Sequence, residues 1–460
     1  MNNKIALEIK SILSEKSFSF DTLILKTKEL FDQKGIPGFL ELLLSIIDEH
    51  ALQCVPELIK EDLKQLRTTD KRRKHYCCSE PSFIKNGRAD KKFRTSIGEL
   101  NYSWRRLRCQ NCSKSFTPLK SFLKIETNQR KSNELEKLVM DIISEQSYRK
   151  TVSHIKLNRD IKLPHTTAHR WVMASDADEI DPSDKSVDIF ITDGTGFKQI
   201  FKYRNDQSNR GEVKIALGID KNKKIIPYGA WTEESWGRIG QKIKNANHKN
   251  KKLKFKPIAN VLVSDGEEKM IRAMGRLTQH TQRCQWHMTH ELPSSLRYQD
   301  GLELDKTRVY QKKLNEIISI KLPENNFEEM NPDDQADLIR KLWQAQKSID
   351  ELEEEFRSKG YKKAAGYIKN SKANLFNYLR FWMKTGIACP KTSSMIERIM
   401  REVGRRIKKI GHGWSPKGAA KMTRIILKKI TSAKEWEKYW EDKLEIDDSV
   451  KLELLGCRIV

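Results

Sequence analysis

The stretch VDIFITDGTG at residues 187–196 decides the fold of this chain, and NVLVSDG at residues 260–266 repeats its pattern. Each is an apolar run, typical of a buried β-strand, that ends in an Asp-Gly pair. Asp193 and Asp265 are therefore predicted at the ends of two strands. The carboxyl ends of strands line the ligand crevice of an open α/β sheet, and carboxylates there suit hard divalent cations. The alternative is that both Asp-Gly pairs are ordinary turns.

A third carboxylate, Glu397, lies in TSSMIERIM at residues 392–400, where the polar start predicts the first turn of a helix. Between residues 401 and 430 ten basic residues stand against one acidic residue. The arginines that follow the glutamate are candidates for binding a phosphate backbone: Arg398, Arg401, Arg405 and Arg406. A metal-binding carboxylate on a basic helix is suited to phosphoryl transfer.

Around these motifs the sequence predicts an α/β core in three parts. Residues 187–290 contain the strands, residues 291–383 are charged and form an all-α insertion, and residues 384–460 form the C-terminal helices with a basic tail. In QRCQWHMTH, Cys284 and His287 are expected on the last core strand. Zinc binding would need two further ligands, for which His290 is only a weak third candidate, so a structural or DNA-positioning role is favoured.

Cysteines mark a second module at residues 71–127, which follows a helical segment at residues 1–70. Cys109-x-x-Cys112 has the spacing of half a zinc ribbon, and the stretch HYCC supplies the other half some 30 residues earlier. The predicted zinc ligands are His75, Cys78, Cys109 and Cys112, with Cys77 as the alternative to His75. The competing interpretation is a pair of buried or free thiols.

Residues 128–178 read as three helices and predict a helix-turn-helix, with a plain helical hairpin as the alternative. The last helix is expected from about Thr166 to Ala174, and it would enter the major groove. The candidate DNA-binding residues of this module are Arg149, Lys150, His165, Thr167, His169 and Arg170.

The charge of the chain points to a polyanionic partner. It has 88 Lys and Arg against 62 Asp and Glu, for a net charge of +26, and residues 71–131 hold 17 basic and 4 acidic residues. Within that stretch Arg105, Arg106 and Arg108 are further DNA-binding candidates. The N-terminus lacks a signal-peptide core, and no window is apolar enough to span a membrane, so a cytoplasmic protein without membrane contact is expected.

Tryptophans are expected in the core at four positions, with one exception. Trp231, Trp236, Trp382 and Trp440 suit packing, whereas Trp414 lies in the basic loop GHGWSPKG behind the predicted glutamate helix. We therefore predict that Trp414 contacts DNA.

The motifs ITDGTG, VSDGEE and SSMIER resemble those of the prokaryotic Mutator-type transposases over residues 187–430. Asp193, Asp265 and Glu397 match that family's Asp-Asp-Glu triad, and Cys284 and His287 match its Cys-x-x-His signature. The separation of 132 residues from Asp265 to Glu397 fits the family's helical insertion. The resemblance implies a multidomain α+β protein with an RNase H-like catalytic core, preceded by the helical segment, the zinc ribbon and the helix-turn-helix.

The resemblance also implies an activity and its partners. The implied enzyme is a DNA transposase with two Mg²⁺ or Mn²⁺ ions per active site and a structural Zn²⁺. Its partners would be the terminal inverted repeats of its own element and target DNA, bound by a homodimer or higher assembly at the nucleoid of a prokaryote. Two alternatives remain: a non-catalytic DNA-binding protein derived from such an enzyme, and a metal-dependent nuclease without strand transfer.

Overall fold

The computed structural model describes residues 7–8, 18–30, 36–55, 82–126, 128–183, 185–200, 210–248, 255–409, 413–446, 448 and 453–454. The chain divides into two units, the first formed by Met1–Ser175 with Lys434–Val460 and the second by Asp176–Ala433. Both contain helices and strands, so the prediction of a mixed α+β protein is confirmed at this level. No helix in the described ranges is long and apolar enough to cross a membrane.

The elements of the described residues are as follows. In chain order they are β1 (Leu7–Glu8), α1 (Phe20–Leu30), α2 (Ile36–Gln53), β2 (Phe83–Thr95), β3 (Gly98–Cys109), β4 (Ser115–Phe116), α3 (Pro118–Phe122), α4 (Asn133–Ile143), α5 (Tyr148–Arg159), α6 (His165–Ala174), β5 (Val187–Lys198), β6 (Arg210–Ile219), β7 (Ile225–Thr232), α7 (Trp236–Asn247), β8 (Ala259–Ser264), α8 (Glu268–Met274), β9 (Thr278–Arg283), α9 (Gln285–Ser294), α10 (Leu304–Ile318), α11 (Pro332–Ser358), α12 (Lys362–Ser371), α13 (Asn377–Thr385), α14 (Ser394–Gly404), α15 (Pro416–Thr431), α16 (Ala433–Leu444) and β10 (Glu453–Leu454).

The core of the first unit forms where α1 and α2 cover one face of the β2–β3 hairpin. Both helices bury apolar residues, including Leu23 and Leu40, and the hairpin adds Phe93, Leu100 and Trp104 to the same cluster. Strand β4 pairs with the end of β3 to complete a three-stranded antiparallel sheet. Successive side chains of a strand point to opposite faces of the sheet, so only alternate residues of the hairpin can face this core.

Three short helices, α4 to α6, follow the hairpin in the first unit. Ser132 and Ser147 cap α4 and α5, each accepting a hydrogen bond from a backbone N–H of the first turn. Helix α6 begins at His165 behind Pro164, one residue earlier than the sequence predicts. Two turns of α6 bury Ala168 and Val172, while the residues between them remain at the surface.

The C-terminal helix α16 packs with this first unit, which corrects the prediction that residues 384–460 form one piece of the core. The indole of Trp436 donates to Asp141 at 3.1 Å, and Lys443 forms an ion pair with Glu136 at 3.3 Å. Trp440 is fully buried. The aromatic side chains of α16 therefore find their apolar partners beside α4, a contact that the sequence pattern alone does not specify.

The second unit is built on a five-stranded sheet with the strand order β7-β6-β5-β8-β9. Strand β5 is antiparallel to β6, which is antiparallel to β7, whereas β8 is parallel to both β5 and β9. The parallel crossover from β7 to β8 passes through α7, as such connections require.

Helices cover both faces of this sheet. On one face, Trp236 and Ile239 of α7 and Met270 of α8 pack against Phe190 and Leu262. On the other, α14 packs on β5 and α15 on β6 and β7. The sheet is buried on both sides, which explains why β5 and β8 are almost continuously apolar.

A helical segment from α9 to α13 connects β9 to α14. Its return is fixed by Gln282, which donates to the carbonyl of Leu375 at 2.9 Å and accepts from the backbone N–H of Tyr378 at 2.6 Å. Among the tryptophans predicted to be core residues, Trp236, Trp382 and Trp440 are buried and Trp231 packs partly buried against the core.

Candidate active site

Two parallel strands bring Asp193 and Asp265 side by side. The ladder between β5 and β8 ends with Ile191 opposite Val263, and each aspartate lies two residues further along its strand. Asp265 directly follows β8, as predicted. Asp193 does not end its strand, because β5 continues to Lys198 through its antiparallel pairing with β6. Both aspartates thus lie just beyond the end of the parallel pairing between β5 and β8, where β5 remains paired with β6 only.

Backbone groups orient both carboxylates. The N–H of Gly194 donates to Asp193 Oδ1 at 2.7 Å, and the N–H of Glu267 donates to Asp265 Oδ1 at 3.0 Å. The turn after Asp265 requires Gly266, whose φ of +97° lies in the region that favours glycine. These local bonds hold one oxygen of each carboxylate.

The environment of Asp193 disfavours its negative charge. Burial raises the pKa of Asp193 to about 6, and the neighbouring carboxylate of Asp265 adds to the rise. The Gly194 N–H, His287 and Lys408 act in the opposite direction but do not cancel it. Within the described residues neither aspartate forms an ion pair. The ionised form of Asp193 is therefore disfavoured first by burial and then by the like charge of Asp265.

Cys284 and His287 lie beside this pair, but not on a strand as predicted. Strand β9 ends at Arg283, Cys284 precedes α9, and His287 is in its first turn. Burial would raise the pKa of the Cys284 thiol, but hydrogen bonds from His287 and Ser393 lower it below its ordinary value. Burial would lower the pKa of His287, yet Cys284 and the two aspartates raise it. The protonated form of His287 is therefore favoured by Cys284 and by the two aspartates.

The glutamate helix is attached to the same place. Ser393, which precedes α14, donates its backbone N–H to Cys284 Sγ at 3.4 Å, and α14 packs on β5. Glu397 is half-buried in the first turn of α14. Across the ranges that the structure describes, no three His, Cys, Asp or Glu side chains are grouped closely enough to hold a metal ion. The structure thus brings two of the three predicted carboxylates together.

Arg283 belongs to the site although sequence reasoning missed it. Its buried guanidinium donates to Tyr367 Oη at 3.0 Å and pairs with Glu291 at 3.5 Å. It also fills the space beside Gly266, since a Cβ there would lie 1.1 Å from Arg283 Nη1. Its position directly before Cys284 was the only available signal. Arg283 therefore fixes the turn that carries Asp265.

Two residues of the basic C-terminal stretch are unavailable to DNA, which corrects their predicted role. Arg406 is 1% exposed and Trp414 is 8% exposed, and the guanidinium lies over the indole ring at 4.7 Å. The backbone of Trp414 bonds to the end of β5, donating to Lys198 O at 2.8 Å. Arg398 and Arg401 are exposed on α14, and Arg405 pairs with Glu402 at 2.9 Å. Trp414 therefore anchors a loop.

The basic residues of the hairpin differ in their exposure. Arg105 is bound internally by Asp48 and Glu49, so its predicted role in DNA binding is not supported. Arg106 is half-buried and Arg108 is exposed. The difference arises because Arg105 faces α2, which the hairpin sequence alone does not reveal.

The cysteine pair of the first unit lies in a tight turn. Cys109 ends β3, and its N–H donates to Lys114 O while its carbonyl accepts from the Ser113 N–H at 2.9 Å. Cys112 is half-buried within that turn. The other predicted ligands, His75, Cys77 and Cys78, lie outside the described residues, and so does most of the lysine-rich stretch at residues 248–256.

The predicted DNA-binding residues of α5 and α6 lie near the beginnings of these helices. Arg149 and Lys150 are exposed on the first turn of α5, as are His165 and Arg170 on α6. Thr167 is half-buried and accepts from Arg170 at 3.2 Å. The ring of His169 contacts Tyr148 edge to face at 5.3 Å, which links the two helix starts.

Comparison with known proteins adds little. No protein-family model and no curated protein matches the chain. A solved structure, described as the Drosophila P element transposase strand transfer complex, aligns at 13% identity with a TM-score of 0.23, covering 67% of this chain and 80% of that chain. A TM-score of this size does not establish a common fold.

Proposed function

We propose that this protein is a DNA transposase in which Asp193, Asp265 and Glu397 act on a DNA phosphodiester. The observation that carries the proposal is the placement of Asp193 and Asp265 at the same level of two adjacent parallel strands, where neither has an internal ion-pair partner among the described residues. Carboxylates placed in this way serve metal-dependent phosphoryl transfer.

Strand order supports the proposal at the level of fold. Three antiparallel strands followed by two parallel ones, in the order β7-β6-β5-β8-β9, agree with an RNase H-like core. The long helical segment between β9 and α14 agrees with the insertion of the prokaryotic Mutator-type transposases, which the motifs around Asp193, Asp265 and Glu397 resemble.

The donor set fits a divalent cation, Mg²⁺ or Mn²⁺, with two ions per site in the proposed enzyme. Asp193 and Asp265 are oxygen ligands, and the raised pKa of Asp193 reflects burial and like charge that a cation would offset. Bound there, the ions would act as Lewis acids on the phosphodiester. Among the described residues the three carboxylates are not grouped closely enough to hold a metal ion. In this proposal Glu397 of α14 becomes a ligand when the ions bind.

The chain's own residues would bind and orient the DNA around this centre. Exposed Arg398 and Arg401 on the glutamate helix are placed to hold phosphates, and Lys408 adds positive charge near Asp193. Hydrolysis of the phosphodiester at the element end leaves a 3′-hydroxyl. The oxygen of that hydroxyl then attacks a phosphodiester of the target DNA and displaces the 3′-oxygen of the target strand, which leaves as a hydroxyl. Positioning of that hydroxyl opposite the target phosphate is the main contribution that the protein makes.

The first unit would bind the element ends. In this proposal α4 to α6 form a helix-turn-helix, and α6 lies in the major groove. The exposed residues in the first turns of α6 contact the base edges there. The terminal inverted repeats are then its double-stranded partner, and joining two ends calls for a homodimer or higher assembly. A prokaryotic nucleoid location is part of the same proposal and is supported by the resemblance to the prokaryotic Mutator-type transposases.

A zinc ribbon in the first unit is supported by the turn of Cys109 and Cys112. Ser113, which follows the pair, has φ 61°, and its N–H donates to the carbonyl of Cys109, so Cys109 and Cys112 lie within one tight turn. Gln110 N donates to Ser82 O at 2.8 Å. Cys78 lies four residues before Ser82, a reach of at most about 14 Å, so a ligand set with His75 or Cys77 is within range.

The non-catalytic DNA-binding alternative is favoured by one observation. Among the described residues the three carboxylates do not form a metal-binding group, so the DNA-binding modules alone could account for the function. The decisive difference is a joined DNA product, which only the proposed transposase makes.

The test is a strand-transfer assay with the full chain, Mg²⁺ and the DNA that flanks its own reading frame, run beside the variant Asp265→Asn. The matched control is Asp188→Asn, a change on β5 where Asn260 donates to the carboxylate at 3.1 Å. We expect joined products from the wild type and the control and none from Asp265→Asn. Cleavage without joining would favour the nuclease, and binding without either product would favour the non-catalytic protein.

A further inference from the structure

We propose that Trp286 and His290 form a stacking platform for an unpaired nucleobase next to the cut phosphodiester. The proposal rests on the transposase function and deepens it, because it names how the site recognises the DNA end. It assigns a role to two aromatic residues that the mechanism above does not use.

Trp286 is unusual in being a large aromatic side chain at the surface beside buried chemistry. It is 44% exposed, whereas its neighbours Cys284 and Met288 are fully buried. Its indole stacks on the ring of His290 with centroids 4.6 Å apart and planes at 20°. The two residues are one helical turn apart on α9, so the stack is built into the helix and needs no other element.

The platform is adjacent to the aspartate pair. The indole contacts the ring of His287 edge to face, with centroids 4.8 Å apart. His287 in turn experiences the charges of Asp193 and Asp265. Trp286 is therefore separated from the proposed phosphodiester site only by the ring of His287.

The chemistry of the site favours a base over another occupant. Stacking on indole accepts every base, because each has a π-face. A strand that is cut beside Asp193 has a terminal base with a stacking partner on one side only, and a fixed aromatic surface would replace the lost neighbour. Lys408 and the exposed Arg398 and Arg401 provide positive charge for the backbone of the same strand.

A second exposed tryptophan supplies the matched control. Trp343 on α11 is 61% exposed, and its ring is covered by Lys347 at 5.7 Å. In the described residues no contact links Trp343 to the aspartates. Its replacement removes an exposed indole of the same kind without touching the platform.

The experiment places 2-aminopurine at the terminal nucleotide of the pre-cut element end and binds this DNA to the full chain carrying Asp265→Asn, which prevents chemistry. We expect the platform to quench the fluorescence of that base. Adding Trp286→Ala should restore the fluorescence, Trp286→Phe should retain part of the quenching, and Trp343→Ala should change nothing. Equal fluorescence with and without Trp286 would overturn the proposal.

Strand transfer by the otherwise wild-type chain gives the second measurement. Trp286→Ala should lower the rate about ten-fold, a typical loss for one base stack. An abasic site at the terminal nucleotide should cause the same loss in the wild type and no further loss in Trp286→Ala. Additive losses would show that Trp286 acts elsewhere, for instance between two copies of the chain, and would overturn the platform.

The two proposals fail in different ways. If the wild type makes no joined product while 2-aminopurine is quenched through Trp286, the transposase function fails and base binding stands. If the wild type joins DNA and Trp286→Ala does so equally well, the platform fails and the transposase function stands.

Discussion

Each unit of this protein places two carboxylates close together, buried in the first unit and half-buried in the second, and the two pairs have different partners. In the first unit Glu134 is bound by Lys28 and by the Ser96 hydroxyl, and Asp21 accepts the Glu134 backbone N–H at 2.9 Å. In the second unit Asp193 and Asp265 accept only backbone N–H groups and have no ion pair among the described residues. Glu134 of the first pair has an internal cation, whereas the second pair has none among the described residues and is where we propose that a metal ion binds.

The pKa values show that burial alone does not separate the two pairs. Burial raises the pKa of Asp21 to about 7 and that of Asp193 to about 6, and in both cases the neighbouring carboxylate adds to the rise. The difference lies in the surroundings: Asp21 accepts at the N-terminus of α4, where helix N–H groups favour an acceptor. A raised pKa therefore marks a site only where internal partners are missing.

The largest expected effect separates the two pairs by activity. Asp193→Asn should lower strand transfer by about a thousand-fold or more, because it removes a charge that the proposed metal needs. Asp21→Asn should leave the rate within about two-fold per folded molecule. The rates are measured under one set of conditions with purified full-length protein. Similar losses in both variants would remove the distinction between the pairs.

The dependence of activity on pH should give the next largest effect. Because the pKa of Asp193 is raised to about 6, its ionised fraction falls below pH 6, and strand transfer should fall about ten-fold per pH unit there. More Mg²⁺ should move the midpoint to lower pH, since the cation competes with the proton. A rate that is flat between pH 5 and 8 at both Mg²⁺ concentrations would contradict the assignment.

The pH dependence of stability should follow the other pair. The folded-state pKa of Asp21 is above its unfolded value, so its contribution to stability is fully present below about pH 4 and is lost as the pH rises to about 7. The protection factors of the α4 amides, which are corrected for the intrinsic pH dependence of exchange, should therefore fall over this range, and Asp21→Asn should flatten that fall. Strand transfer should not follow this titration.

The smallest expected effect concerns stability alone. Glu134→Gln leaves Lys28 without its carboxylate and should destabilise the first unit by about 1–3 kcal/mol. Urea unfolding detects the loss. Asp193→Asn provides the comparison in metal-free buffer at pH 8, where it should not destabilise the second unit, because it leaves no internal cation unpaired.

The sequence predicts the second pair but not the first for a physical reason. Asp193 and Asp265 follow apolar strand runs, and parallel strands bring equivalent positions together. Asp21 and Glu134 are 113 residues apart in helices, and no local pattern records that they meet. Strand-end motifs are local signals, while helix-to-helix contacts are not.

Errors in the predicted site share a cause. Arg105, Arg406 and Trp414 were predicted on the DNA-binding surface because they lie in basic stretches. In the structure Arg105 pairs with Asp48, Trp414 bonds to Lys198, and Arg406 is buried against Trp414. Long side chains such as arginine bury their stems against whatever surface is near. Arg283 shows the reverse case, since its place beside Gly266 depends on the turn between β8 and α8.

The chain crosses between the sheet and its helical segment through a narrow junction. Gln285 N donates to Lys391 O at 2.8 Å. The start of the helical segment and the chain that returns from it to α14 are therefore joined by a backbone hydrogen bond. The chain between Gln285 and Lys391 forms a long closed loop, and lengthening such a loop changes its closure entropy only slowly. The length of the segment from α9 to α13 can therefore change greatly during evolution while Asp193 and Asp265 keep their positions.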